Sequence, residues 1–340
     1  MKVTIRKLSE ACGVSTATVS RALAGHPHVR PEVRTRIERE AKRLGYRRNP
    51  LVGSLMGHVR TARTDRFVGN LALVHVPTRA EEPIVPQLKR IMESTRTRAG
   101  GLGFAAEMFQ LGPGRREEQA LARMLRARGV SGVLFYYSGP SGAPVSFPWD
   151  DFSAIALDFA RREPVLNTIC HDHYLTLKSA LERMQAAGYR RIGLFIERFK
   201  DERTDFRWSA AFFSFQESSG GIGRIPLCSP RVMTQDVFLP WYQRHRPDLV
   251  VGHVDQAVHW LRQAGVGVPE ETAFFNLNWE DRSFPCAGID PRLERQGQVA
   301  AEVLIAHVQR GERGLPPEPR LTMVSGRLVA GPTVPGLALE

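Results

Sequence analysis

Cysteine is scarce in this chain, with four residues among 340. Cys12, Cys170, Cys228 and Cys286 lie far apart, and no two form the closely spaced pair of a structural zinc site. A chain of this length can build its cores without covalent cross-links, so a disulfide scaffold is not expected either. We therefore predict a protein whose thiols stay reduced.

Long hydrophobic runs are also missing. No segment approaches the roughly twenty consecutive apolar residues that a membrane-spanning helix needs. The first ten residues, MKVTIRKLSE, contain no apolar signal core. The sequence thus predicts a cytoplasmic protein with no membrane partner.

Motifs of the common catalytic sites are absent as well. The glycine clusters at 100–103 and 220–223 have neither the GxGxxG nor the GxxxxGK[ST] spacing, and no GxSxG elbow occurs. His171, Asp172 and His173 come closest to a metal site. Neighbours on a strand point to opposite faces, so only His171 and His173 could point the same way, and no third ligand is evident nearby. We predict no catalytic residue, no metal and no cofactor, and hence no enzyme.

Acidic residues are scarce only at the N-terminus. Residues 1–66 carry fifteen lysines and arginines against five acids, whereas residues 67–340 carry 32 against 30. Nearly all of the net charge of +12 therefore belongs to the N-terminal segment. This distribution is typical of a nucleic-acid-binding module joined to a near-neutral domain.

The segment Thr4–Ala24 has the pattern of two short helices joined by a tight turn. Apolar residues recur at helical spacing on both sides of Gly13, which can adopt the left-handed backbone that ends a helix. Ser15 follows as a candidate N-cap. A third amphipathic helix, rich in arginine, follows Pro31 and ends at Gly45.

From residue 67 onwards, short apolar runs alternate with helical stretches. The predicted strands are VGNLALVHV, FAAEMF, GVLFYY, SAIALD, RIGLFIE, DLVVGHV and AFFNL. The predicted helices are PQLKRIMESTRTRA, EQALARMLRARG, LTLKSALERMQAAG, TDFRWSAAFFSFQES (204–218) and DQAVHWLRQAG. Such alternation favours parallel sheets flanked by helices.

Two motifs carry a specific resemblance. The sequence reads TIxxLxxxxGVSxxTVSRxL and then VRxxVRxRIxxxAxRLGY, with a leucine nine residues after the tyrosine. This pattern resembles the LacI/GalR family of bacterial transcription regulators. The resemblance implies an N-terminal all-α helix-turn-helix domain and an α/β core of two parallel-sheet lobes, like a periplasmic binding protein.

The resemblance also implies a division of the chain. We expect a helix-turn-helix domain at 1–46, a hinge at 47–66 and a two-lobed effector-binding and dimerisation domain at 67–335. Lobe 1 is expected to take about 67–160 and 291–320, and lobe 2 about 161–290 and 321–335. The chain would cross between them near 160–163, 287–291 and 320–324.

In that family the second helix reads the major groove, and a hinge leucine enters the minor groove. The residues expected to contact DNA are Thr4, Ser15, Thr16, Ala17, Thr18, Ser20, Arg21, His28, Arg30, Arg34, Tyr46, Asn49 and Leu55. The hinge departs from the family pattern at Arg48, Pro50 and Gly53. Gly53 and Gly57 each lower helix propensity by about 1 kcal/mol relative to alanine.

Ligands of open α/β sheets bind where the strands end, so residues after the predicted strands are candidates for an effector site. Those expected to bind the effector are His75, Tyr137, Asp158, Arg207, Asp255, Asn278 and Trp279. Tyr136 also ends a predicted strand. Carboxylates, an arginine and aromatic rings together favour a sugar.

Two family patterns that often carry polar effector contacts are altered. The GxDD stretch reads NLNW at 276–279, and the LxxRxS stretch reads LVAGPT, with Gly331 and Thr333. Loss of these partners suggests either a less common effector or none.

We therefore expect a sequence-specific regulator, a repressor, that binds a pseudo-palindromic operator in double-stranded DNA as a homodimer under the control of a small-molecule effector. The C-terminal sequence lacks a leucine heptad that would add a tetramerising helix. The alternatives are a stand-alone sugar-binding protein or an α/β enzyme whose basic N-terminal domain is incidental.

Overall fold

The structure is a computed structural model. It describes residues 5–23, 29–44, 68–77, 84–112, 114–138, 145–158, 163–221 and 223–337. The N-terminal part of these residues is entirely helical, and strands alternate with helices after residue 68.

Three short helices form the N-terminal part of the molecule. They are α1 (Ile5–Cys12), α2 (Thr16–Leu23) and α3 (Pro31–Arg43). Leu8, Val19 and Ile37 come one from each helix and are completely buried against one another. The predicted helical periodicity is thus confirmed, because these apolar positions share one small core.

The turn between α1 and α2 depends on Gly13. Its φ is +60°, and the space that a Cβ would occupy there is open. Backbone conformation therefore favours glycine at this position, and the predicted left-handed turn is confirmed.

The remaining residues form two α/β lobes. The strands are β1 (Gly69–Val76), β2 (Phe104–Gln110), β3 (Val130–Tyr137), β4 (Ser153–Leu157), β5 (Asn167–His171), β6 (Ile192–Phe195), β7 (Leu249–Gly252), β8 (Ala273–Asn276), β9 (Ala287–Asp290), β10 (Leu321–Val324) and β11 (Arg327–Val329). The helices are α4 (Pro86–Gly101), α5 (Arg115–Ala127), α6 (His173–Ala186), α7 (Arg198–Arg203), α8 (Arg207–Ser218), α9 (Gln235–His245), α10 (Gln256–Gln263) and α11 (Leu293–Arg310).

Lobe 1 contains a six-stranded parallel sheet in the order β10-β5-β4-β3-β1-β2. Helices α4 and α11 pack on one face, and α5 packs on the other. Buried apolar residues fill both interfaces, as parallel strands covered on both faces require. The predicted fold class is confirmed for this lobe.

Lobe 2 contains a five-stranded sheet in the order β11-β9-β8-β7-β6, in which only the β9–β11 pair is antiparallel. Helices α6 and α8 cover one face, and α9 and α10 cover the other. Both lobes therefore have the same three-layer arrangement.

The chain first crosses between the lobes later than predicted. Strand β5 pairs with β4 and β10 in lobe 1, so the crossing follows His171 and does not lie near 160–163. The last crossing falls between β10 and β11, just after the predicted 320–324. Strand β5 was missed because its sequence, NTICH, mixes polar and apolar residues.

Other differences concern single elements. The predicted helix at 204–218 begins only at Arg207, because Asp205 and Phe206 adopt left-handed conformations, with φ of 56° and 58°. Helix α9 was not predicted, since it contains Pro240. The predicted limits of the DNA-binding domain and the hinge fall in residues 45–67, outside the described part of the chain.

Candidate DNA-binding surface and effector site

The N-terminus of α2 is held by the side chain of Ser15. Its Oγ accepts a hydrogen bond from the backbone N–H of Thr18, at 3.1 Å, and lies 2.9 Å from the Thr18 hydroxyl. The predicted N-cap is therefore present. Ser15 and Thr16 are exposed, so the start of α2 presents short polar side chains to solvent.

A basic surface accompanies this helix start. Arg30 precedes α3 and is exposed, and Arg36, Arg39 and Lys42 are exposed along α3. Arg34 on the same helix is partly buried. Positive charge next to an exposed helix N-terminus is the electrostatic arrangement of a duplex-binding module.

Several predicted DNA contacts lie outside the described residues. They are Thr4, His28, Tyr46, Asn49 and Leu55, together with the side chains of Ala17, Ser20 and Arg21. Their roles stay predictions.

The two lobes meet at the carboxyl ends of β3, β4 and β5, where lobe 2 contributes α7 and the start of α8. We call this region the interlobe junction. Arg203, the last residue of α7, donates a hydrogen bond from a terminal nitrogen to Oδ2 of Asp158 at 3.0 Å. The same nitrogen lies 3.4 Å from the hydroxyl of Tyr136. An arginine of one lobe thus binds two strand ends of the other.

Asp158 adopts a left-handed conformation (φ 71°), which is uncommon for residues other than glycine and asparagine or aspartate. Its carboxylate raises the pKa of Arg203 above the usual value. Both side chains are partly accessible, so we expect the pair to contribute little to stability by itself.

Three histidines surround Trp208 at the interlobe junction. The ring centroids of His171 and His173 are 4.6 Å apart, and those of His173 and Trp208 are 4.8 Å apart. His253 lies 5.6 Å from Trp208 by the same measure. Burial lowers the pKa of His171 to about 4 and lowers those of His173 and His253 well below the usual value. All three imidazoles are therefore neutral at pH 7.

These depressed pKa values predict how stability depends on pH. The unfolded His171 titrates near its ordinary value of about 6.5, so below that pH the unfolded chain binds more protons than the folded one. Stability should fall as the pH drops from 6.5 towards 4. We expect His171→Gln to reduce the slope of the unfolding free energy by up to about 1.4 kcal/mol per pH unit.

The measurement is urea unfolding at several pH values between 4.5 and 7.5. His259→Gln, which removes an exposed histidine of α10, serves as the control and should leave the slope as it is in the wild type. An unchanged slope in His171→Gln would contradict the prediction.

Arg207 and Trp208 begin α8 and are positioned by Asp201. The buried carboxylate of Asp201 accepts a hydrogen bond from the backbone N–H of Ser209 at 3.3 Å. The predicted effector residue Arg207 is partly buried beside this helix start. Burial lowers the pKa of His173, and the nearby charge of Arg207 lowers it further.

The structure separates the two tyrosines that end β3. The ring of Tyr137, a predicted effector residue, stacks on Phe135 with centroids 6.2 Å apart in the core beneath α5. Tyr136 points the other way and contacts Arg203. Tyr137 is therefore not brought to the interlobe junction, because successive strand residues alternate faces. His75 is completely buried, and its Nε2 is 2.5 Å from Oγ of Ser138.

The side chain of Asp255, a predicted effector residue, is hydrogen-bonded to Ser283 within lobe 2. Its Oδ2 accepts hydrogen bonds from the backbone N–H of Ser283 at 2.5 Å and from the Ser283 hydroxyl at 2.7 Å. Asn278 donates its backbone N–H to Oδ1 of Asn276 at 2.8 Å. These contacts hold the segment between β8 and β9.

Trp279, another predicted effector residue, is also held by its neighbours. Its Nε1 donates to the carbonyl oxygen of Cys286 at 3.0 Å. The guanidinium carbon of Arg282 lies 3.3 Å from the ring centroid, so one face of the indole is covered.

A second set of contacts joins the lobes at α4. Arg90 forms ion pairs with Glu280 of lobe 2 and with Glu294 of lobe 1. Gln87 lies 3.4 Å from Asp281 of lobe 2. Polar side chains of lobe 1 thus bind lobe 2 at two separate places.

Sequence reasoning missed Arg203, Trp208 and His253 as site residues. Only the spatial meeting of α7, α8 and the end of β7 identifies them, since no motif spacing marks them. Among the described residues no group of three His, Cys, Asp or Glu side chains is arranged to hold a metal ion. The described helices also include none that is long and apolar enough to cross a membrane.

Two family models match this sequence. Residues 4–49 match the model of bacterial regulatory proteins of the lacI family. Residues 181–334 match the model of the periplasmic binding protein-like domain. The first match contains the three N-terminal helices, and the second lies mainly in lobe 2.

Curated relatives are transcription regulators. The HTH-type transcriptional regulator YkvZ of Bacillus subtilis is 22% identical over 315 residues, which is 90% of this chain and 93% of the relative. The HTH-type transcriptional regulator MalR of Streptomyces coelicolor is 30% identical over 41% of this chain and 36% of its own length.

Solved structures share the fold. The lac repressor dimer bound to operator and an anti-inducer is 20% identical, with a TM-score of 0.57 over 98% of this chain and 99% of that one. The complex of the transcriptional regulator CelR with cellobiose is 20% identical, with a TM-score of 0.56 over 98% of this chain and 100% of that one. The helix-turn-helix domain, the two lobes and the family matches agree, and the chain combines a DNA-binding domain of the lacI family of bacterial regulatory proteins with a periplasmic binding protein-like domain.

Proposed function

We propose that this regulator binds a pseudo-palindromic operator as a homodimer and acts as a repressor. The observation that carries the proposal is the exposed start of α2, capped by Ser15 and accompanied by the exposed cations of α3. Short side chains let a helix approach base edges, while the cations neutralise phosphates. Two such modules in a dimer would read two half-sites.

The lobes would carry the control of DNA affinity. Contacts across the interlobe junction, such as Arg203 with Asp158, join two bodies whose relative position a small molecule could change. A ligand that binds one arrangement better than the other shifts the population towards it. A sugar is the predicted class of effector, and the CelR complex with cellobiose supports a carbohydrate-like compound.

The test of the proposal is a footprint of the purified full-length protein on the DNA upstream of its own gene and neighbouring genes. The experiment uses physiological salt and excess competitor DNA. We expect a protected palindromic site. Smeared, salt-sensitive binding without protection would instead favour a stand-alone small-molecule-binding protein.

Arg21→Ala is expected to reduce specific operator affinity by about 1–3 kcal/mol, because an arginine at a base edge contributes that much discrimination. The measurement is a titration of operator and random DNA at the same salt concentration. Lys42→Ala, which removes an exposed cation of α3, is the matched control and should weaken binding to both DNAs alike. An equal loss on both DNAs for Arg21→Ala would mean that Arg21 contacts only phosphate.

A further inference from the structure

The acidic side chains that a neutral sugar would use are already engaged. Asp158 binds Arg203, and Asp255 accepts two hydrogen bonds from Ser283. Asp172 accepts the backbone N–H of Leu175 at the start of α6. Recognition of neutral hydroxyl groups in sugar sites relies on such acceptors, so a sugar hydroxyl at these oxygens would compete with partners inside the protein.

The cations, in contrast, converge on one place. Arg203 ends α7 and Arg207 begins α8, and the left-handed turn at 205–206 lies between them. Both charges act on the imidazole of His173, and Arg203 also acts on that of His253. On the neighbouring ring of His171 the carboxylates of Asp172, Asp158 and Asp290 act in the opposite sense. The positive charge is therefore concentrated on the side of His173 and His253.

Two buried imidazole nitrogens lie in the cluster around Trp208. Nε2 of His171 and Nδ1 of His253 have no hydrogen-bond partner among the described residues. Nδ1 of His171 donates to the carbonyl oxygen of Val324 at 3.2 Å, so Nε2 of this neutral ring can only accept a hydrogen bond. Nδ1 of His253 can carry the proton of its neutral ring and donate it to an anionic oxygen. Trp208 lies between the two rings and supplies an apolar wall.

We propose that the effector carries a carboxylate or phosphate group, which Arg203 and Arg207 bind together beside His171, His253 and Trp208. This inference rests on the proposed effector control at the interlobe junction and names the chemical class of the effector. Arginine suits the task because its planar fork matches the oxygens of either anion.

The same site explains how binding of the effector would change the contacts between the two lobes. Arg203 is the side chain through which lobe 2 holds Asp158 and Tyr136 of lobe 1. An anion at Arg203 competes with the carboxylate of Asp158 for the same guanidinium. Occupancy therefore weakens one interlobe contact, whereas the contact of Arg90 with Glu280 stays in place.

The test is calorimetric titration of the full-length protein, without DNA, with inorganic phosphate and with malonate at constant ionic strength. We expect saturable binding of at least one anion. Preference for phosphate indicates a phosphate-bearing effector, and preference for malonate indicates a carboxylate. Arg203→Gln and Arg207→Gln should each weaken this binding about tenfold or more, as loss of a charged hydrogen bond does.

The control is Arg224→Gln, which removes an exposed arginine paired with Glu217 on the surface of lobe 2 and should leave binding unchanged. Anions bound by the basic N-terminal helices contribute equally to every variant. Arg203→Lys keeps the charge and should bind phosphate more tightly than Arg203→Gln does, which distinguishes loss of the charge from a folding defect. Circular dichroism checks the fold of each variant.

Absence of saturable binding, or binding unaffected by both arginine substitutions, would overturn the inference. The operator footprint is made on the same preparations. A protein that protects an operator but binds no anion refutes only the anionic effector. A protein that binds the anion at Arg203 but protects no DNA refutes only the proposed operator binding.

Discussion

Replacing Ile37 with alanine is expected to abolish the proposed operator binding while both α/β lobes remain folded. Ile37 is completely buried in the core that joins α3 to α1 and α2. Truncating a buried isoleucine costs about 2–5 kcal/mol. A three-helix domain of this size buries little apolar surface, and its whole stability is of the same order. The exposed start of α2 would lose its support.

The measurement combines operator titration with thermal unfolding of the full-length protein. We expect loss of specific DNA binding and an unchanged transition for the lobes. Thr35→Ala is the matched control, because Thr35 is exposed on the same helix and only donates its hydroxyl to the carbonyl oxygen of Pro31. Retention of operator affinity in Ile37→Ala would show that the three-helix core is not needed for the DNA-binding surface.

The sequence predicted the helix-turn-helix well because its signals are local. Apolar spacing fixed the buried faces of the helices, Gly13 marked the turn, and Ser15 marked the helix start, and all three are present in the structure. The alternation of strands and helices predicted the layered lobes for the same reason. These features depend on residues that lie within a few positions of one another.

The candidate effector site depends on contacts between distant segments, and there the sequence was less informative. Asp158 was predicted because it ends a strand, but its partner Arg203 lies 45 residues further along, before a turn in which Phe206 adopts an uncommon left-handed conformation. Nothing in the local pattern marks such a turn. Likewise, the strand-end rule cannot tell which of Tyr136 and Tyr137 faces the core.

One departure from the family pattern has a structural explanation. At the C-terminal end, the chain carries Gly331 and Thr333 where family members often have polar effector contacts. Oγ1 of Thr333 instead accepts the backbone N–H of Ala287 at 3.0 Å and is buried. Gly331 lies directly against the backbone of Cys286 and Ala287. This segment therefore has a packing role in lobe 2.

The close packing around Gly331 leaves no room for a larger side chain. A methyl group at Gly331 would overlap the carbonyl carbon of Cys286 and the backbone nitrogen of Ala287, and neither can move without displacing β9. Relieving this overlap would move the segment around Gly331 away from the sheet. Thr333 in the same segment also holds it there, because its carbonyl oxygen accepts a hydrogen bond from the backbone N–H of Phe274 at 3.0 Å. We expect Gly331→Ala to lower the free energy of unfolding by about 3 kcal/mol or more.

Urea unfolding of the full-length protein measures this loss, and Gly100→Ala is the control. Gly100 lies in α4, where a Cβ meets open space, so alanine there should stabilise the helix by up to about 1 kcal/mol. The destabilised variant should keep its N-terminal helices and its non-specific affinity for DNA, because the altered contact lies within lobe 2. Equal stability of Gly331→Ala and the wild type would mean that β9 yields to a methyl group, and the packing role of this segment would have to be abandoned.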